Sequence, residues 1–148
     1  MKRIDVSLNV GVVAPLLDFL KPVLKSLESE TAFPPQMAEA DRELAGLWRE
    51  GLIHTQVEDC HRLLGLFDAT FLNTGQIVLT EENADAILRA TAAVRLKLRT
   101  GALAAVSDGD LQNRSINLGA LTDSERSGYA AMRLMEEIQD IVLQHLAG

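Results

Sequence analysis

The sequence predicts a mainly α fold: a single helical domain over residues 1–148, a bundle of five to six helices with a minimal two-stranded β element. Three observations predict it. Apolar residues recur every three or four positions over most of the chain, as amphipathic helices require. Only two short runs, residues 3–8 and 76–79, have β character. The chain has 148 residues, one domain of ordinary size with enough length to bury a core.

At the N-terminus Ile4, Val6, Leu8 and Val10 alternate with Arg3, Asp5, Ser7 and Asn9, the period of a strand with one buried face. A lone strand leaves its backbone groups without a ladder partner. The other β-type run is Gln76–Leu79, so the two are expected to pair, within a chain or across a dimer. A first helix is expected from about Val12 to Glu28, with Val13, Leu16, Leu17, Leu20, Val23, Leu24 and Leu27 as its stripe. Pro15 suits its first turn, and Pro22 is expected to kink it. Thr31–Pro35 reads as a stiff loop.

Met37–Trp48 then reads as a second helix and Leu52–Leu72 as a third, with Gly51 as the joint. The stripe of the third is Ile53, Val57, Cys60, Leu64, Phe67 and Phe71. Asn73-Thr74-Gly75 turns the chain into the second strand. Thr80 is expected to cap the helix Ala84–Leu103, with Glu81 and Glu82 in its first turn and Arg95, Lys97 and Arg99 near its end, matching the helix dipole. A short helix is expected from about Ser107 to Asn113. Thr122-Asp123-Ser124-Glu125 is a capping box opening a last helix to about Ala147.

Bulk chemistry narrows the function. Formal charge is −7, and no basic stripe with interleaved aromatics offsets it, which argues against nucleic acid. The longest apolar run, Val10–Leu20, is too short for a membrane span and is interrupted by Asp18. A single cysteine and no recognisable signal peptide lead us to expect a cytoplasmic setting. No phosphate-binding loop, dinucleotide-binding glycine pattern or nucleophile elbow is present, so no cofactor is implied.

Two segments resemble a bacterial family, the domain of unknown function family 2017. One is the acid-capped Leu79-Thr80-Glu81-Glu82 leading to Val94-Arg95-Leu96-Lys97-Leu98. The other is Tyr129, Met132, Met135 and Glu137 in the closing helix. The order of segments is similar as well. The chain departs from the family pattern at Ala92, Arg99, Ala130 and Ala131. The resemblance implies no activity. In actinobacteria genes of that family tend to lie near the one for ClpS, an adaptor of the Clp protease, which implies a link to protein turnover.

The candidate residues are few. His54, Glu58 and His61 share a helix face at metal-ligand spacing. The two histidines are roughly 10 Å apart, too far to share one zinc. Three ligands in a row suit a dinuclear carboxylate site, which needs matching Glu/His pairs on other helices. His145 has Asp140 five positions before it and Val142 three before it, so it supplies no such pair. Cys60 reads as a buried, inert thiol. Arg95 falls on the face of Leu88, Thr91, Val94 and Leu98, where a charge requires a partner. Glu137 is the expected partner in a clasp to the last helix. The alternative for Arg95 is an anion or peptide-carboxylate site. Leu96 and Leu103 lie opposite the main stripe and mark a possible homodimer interface. The resulting expectation is a non-enzymatic regulatory or adaptor-type protein with a protein partner. A small metal-binding or enzymatic bundle is the alternative.

Overall fold

A computed structural model describes residues 2–29, 42–112 and 116–146. Among these residues the chain is mainly helical, with one two-stranded antiparallel sheet. Strand β1 (Arg3–Ser7) pairs with β2 (Gln76–Thr80), Arg3 opposite Thr80 and Ser7 opposite Gln76. The pairing is within one chain. Register follows from burial: Ile4 faces Leu79 and Val6 faces Ile77, so the apolar residues of both strands share the core side.

Asn9 caps α1 (Val10–Ser26), its side-chain oxygen accepting from the Val12 N–H at 3.3 Å. Pro15 and Pro22 both lie inside this helix. Its inner face is Val13, Leu16, Leu20 and Leu24, continued by Leu27 just beyond the end. The expected loop Thr31–Pro35 and the expected helix start at Met37 lie outside the described residues.

The next helix differs from expectation. One continuous α2 (Arg42–Gly65) replaces the second helix and most of the third, and Gly51 is not a joint. A helical glycine costs only about 1 kcal/mol relative to alanine. That is too little to break a helix that continues for two turns or more on either side of it. The third helix also ends earlier than expected. Residues Leu66–Asp68 turn the chain, and Asp68 caps a short α3 (Ala69–Thr74) by accepting from the Phe71 N–H at 3.0 Å. Gly75 ends α3 at φ 76°. A Cβ there would stand 2.8 Å from the Leu8 carbonyl oxygen, which accounts for glycine at this crossing.

Thr80 does not cap the following helix directly. Thr80 and Asn83 instead satisfy each other, the Thr80 N–H donating to Asn83 Oδ1 at 2.9 Å and the Asn83 N–H to Thr80 Oγ1 at 3.3 Å. This is the reciprocity of a capping box, spanning the turn before α4 (Ala84–Thr100). Asn83 is the cap residue. Helix α4 is the hub, packing on α1, α2 and α6 (Asp123–His145). Ile87, Ala90, Thr91, Val94 and Leu98 are all but inaccessible. The Thr91 hydroxyl meets its need locally, donating to the Ile87 carbonyl oxygen at 2.8 Å.

Beyond Gly101 come a short α5 (Asp108–Gln112) and one 3-10 turn at Leu118–Ala120. The expected end of α5 at Asn113 and of α6 at Ala147 lie outside the described residues. The capping box of α6 forms as expected, Thr122 Oγ1 accepting from the Glu125 N–H at 3.1 Å and Glu125 Oε1 from the Thr122 N–H at 2.9 Å. Its core face runs through Ala131, Met135, Ile138 and Val142.

Candidate functional site

The two flanks of α4 each carry arginines that reach a neighbouring helix. Toward α2, Arg89 makes a bidentate pair with Asp59, Nε to Oδ2 at 2.8 Å and Nη2 to Oδ1 at 3.0 Å. Asp59 is buried, while half of the Arg89 side chain remains exposed. These hydrogen bonds hold the guanidinium pKa above its ordinary value. Next to Asp59, burial pushes the Cys60 thiol up to about 11, with the Asp59 and Glu28 charges adding to the effect. Cys60 is therefore a protonated core thiol, as its position in the stripe led us to expect.

Toward α5 and α6 lies an open groove of about 570 Å³. Ala92, Leu96, Leu111 and Met132 give it an apolar side; Arg95, Arg99, Arg133, Asp108 and Glu136 give it charge. Arg99 is pinned: its Nε and Nη2 meet Asp108 Oδ1 at 2.8 and 2.7 Å, and its Nη1 donates to the Leu103 carbonyl oxygen at 2.8 Å. Arg95 and Arg133 instead share Glu136. Arg133 Nη1 donates to Glu136 Oε2 at 2.7 Å, and Arg95 Nη2 stands 3.5 Å from Oε1. Arg95 Nη1 also donates to Gln139 Oε1 at 2.5 Å.

This geometry corrects the expected clasp. Arg95 does reach the last helix, but at Glu136 and Gln139; Glu137 points to solvent. One helical position turns a side chain by about 100°, so the neighbour of the expected residue occupies the facing side. Arg95 itself is 41 % exposed and sits at the border of the buried face rather than on it.

The two leucines separate. Leu96 is half-buried at the groove, but Leu103 is fully buried after the end of α4, beneath Gly128 of α6. A Cβ on Gly128 would lie 3.3 Å from Leu103 Cγ. Leu103 is core and offers no surface for a subunit contact. The chain leaves α4 at Gly101 and turns back, so helical periodicity no longer places residue 103.

Among the metal candidates, His54 Nε2 and Glu58 Oε1 are 3.3 Å apart, both largely exposed, and His61 is exposed as well. Among the described residues no group of three or more His, Cys, Asp or Glu side chains comes together to hold a metal. No helix of the described residues is long and apolar enough to cross a membrane.

The Asp59–Arg89 pair has no counterpart among the sequence expectations, yet a signal for it exists. Leu52, Gln56, Asp59, Leu63 and Leu66 follow the three-and-four spacing of a seam, and a carboxylate on such a seam demands a cation. The expected stripe holds at Cys60, which is buried, and is half-buried at Ile53 and Val57, but at the end of α2 it shifts by one position: Leu63 is buried and Leu64 exposed.

No protein-family model, no curated protein and no solved structure matches this chain. The class that fold and site define is therefore structural: a mainly α bundle with a basic-edged groove between its hub helix and its last helix.

Proposed function

We propose that this chain is a non-enzymatic regulatory or adaptor-type protein of the cytoplasm, working through contact with another protein at the α4–α5–α6 groove. The observation that carries the proposal is the groove's make-up. It sets an apolar side beside three guanidinium groups and only two carboxylates, on a chain whose net charge is −7. Interface cores favour arginine, methionine and apolar side chains. The resemblance to the domain of unknown function family 2017 supports placing the contact near protein turnover.

Selection from a random peptide library, displayed through its C-terminal end on the immobilised full chain, tests this. Enriched peptides are expected to shift backbone NMR signals of Leu96, Leu111, Met132 and Arg133. Failure to enrich any sequence, from this library or from one displayed with free C-terminal ends, or shifts confined to another face, rejects the reading.

The His54–Glu58 approach favours a second reading, a metal-binding bundle that includes His61. Elemental analysis of untagged protein separates the two, since stoichiometric bound metal reverses their order. The proposed homodimer keeps Leu96 as its marker and loses Leu103. Light scattering on the parent and on Leu96→Asp tests it, and a monomeric parent removes it.

A further inference from the structure

We propose that the α4–α5–α6 groove takes the free C-terminal carboxylate of a partner polypeptide whose last side chain is aliphatic. The inference rests on the contact-module reading above and names what that groove recognises. Its basis is the sharing of Glu136. Arg95 and Arg133 approach opposite oxygens of one carboxylate, Arg95 from α4 and Arg133 from α6 itself. Asp108 balances Arg99, so the groove is left with one uncompensated positive charge.

The two guanidiniums are also under-used. Among the described residues Arg133 makes one hydrogen bond and Arg95 one, both from Nη1, although a guanidinium carries several further donors on a planar fork. Arg133 is 30 % exposed and Arg95 41 %, so these donors are accessible from the groove. A planar fork matches a carboxylate by two parallel hydrogen bonds. The site thus has donors and charge for one more carboxylate.

Charge count selects the source. A run of acidic side chains would meet Asp108 and Glu136 along the same walls and be repelled. A chain terminus delivers a single negative charge, equal to the excess. It also holds its last side chain a fixed short distance from the carboxylate, where Leu96, Leu111 and Met132 offer apolar surface. The volume, about 570 Å³, lies within the usual range of ligand sites, roughly 300–1,000 Å³, and suits the end of a chain.

The test uses the full chain and two synthetic peptides, acetyl-Ser-Gly-Ser-Leu-Leu with a free C-terminus and the same peptide amidated. Binding is followed by calorimetry and by NMR titration. The free-acid peptide is expected to bind at the groove, and amidation to weaken it at least tenfold. Arg133→Gln is expected to weaken the free-acid peptide at least tenfold and the amide hardly at all. Arg62→Gln on α2 serves as the charge-matched control and leaves both unchanged. Arg95→Gln gives a second reading of the same loss should Arg133→Gln fold poorly. Equal affinity for acid and amide overturns the inference, as does parental affinity in both arginine variants. Binding of neither peptide overturns it too. The contact-module reading is then judged separately by the displayed-peptide selections, since peptides held through their C-terminal ends can still enrich on an apolar contact.

Discussion

Helix α4 holds an arginine against each of two neighbours, and the two are treated differently. On the α2 flank one guanidinium meets one buried carboxylate in a bidentate pair, and the two charges balance. On the α6 flank two guanidiniums divide one carboxylate between them, and at 3.5 Å the Arg95 contact is longer than a good charged hydrogen bond. The first arrangement welds helices. The second leaves donors and charge facing a groove. An arginine that bridges helices is thus structural or available according to the stoichiometry of its partners.

Four measurements can break or sharpen that contrast. The largest concerns whether the open flank is loosely packed as well as under-compensated. Leu103→Ala removes a fully buried side chain under Gly128 and should cost about 3 kcal/mol in chemical denaturation. A cost below about 1 kcal/mol would mean that this side of α4 is soft, and the contrast would be one of packing. Leu96→Ala, at the groove, should stay below about 1 kcal/mol.

Next, Arg89→Met strands the buried Asp59 carboxylate and should cost about 2 kcal/mol at neutral pH. The Asp59→Asn, Arg89→Met double variant should recover part of that loss. Additive losses in the two variants would show that the pair is not coupled.

The third measurement follows the thiol beside that pair. In the unfolded chain Cys60 ionises near 9.0, and in the fold near 11, so between these pH values the native state holds a proton that the unfolded state has lost. This contribution is fully present below about pH 9 and fades as pH rises toward 11. Stability should therefore fall by about 2 kcal/mol more over that window in the parent than in Cys60→Ala. Identical alkaline slopes would place water beside Cys60 and open the α2 flank. The smallest effect belongs to Arg133→Gln. Its half-exposed contact to Glu136 should change stability by no more than about 0.5 kcal/mol, although peptide binding collapses. A loss like that of Arg89→Met would erase the distinction between the flanks.

What could be read from the sequence was local. The alternation of Ile4, Val6 and Leu8, the Thr122–Glu125 capping box and the stripe of α1 are all set within a few residues, and each stands in the structure. Failures came where a distant neighbour decides. Gly51 is a separate case, lying within a continuous helix because a single glycine costs too little to break one. Arg95 chose Glu136 over Glu137 because the rotation of α6 about its axis, fixed by Met135 and Ile138 in the core, sets which acid faces α4. Leu103 lies past the end of α4, where no helical wheel applies. The Asp59–Arg89 pair joins residues 30 positions apart, and no local pattern announces its second member.

The strand pairing near the start of the chain bears on the order of folding. Ser7 and Gln76 are neighbours in the ladder yet about seventy residues apart in sequence, and bringing such distant ends together is entropically costly. Helical contacts within and between α2 and α4 close far shorter loops. We therefore expect the ladder to form late, on a helical core that already holds Phe71 and Ile87, since non-local pairing sets the pace of folding. In pulse-labelled hydrogen exchange the amides of Val6 and Ile77, which face each other as a hydrogen-bonded pair, should gain protection after those of Ala90 and Val94. Simultaneous protection would instead make the sheet part of the folding nucleus.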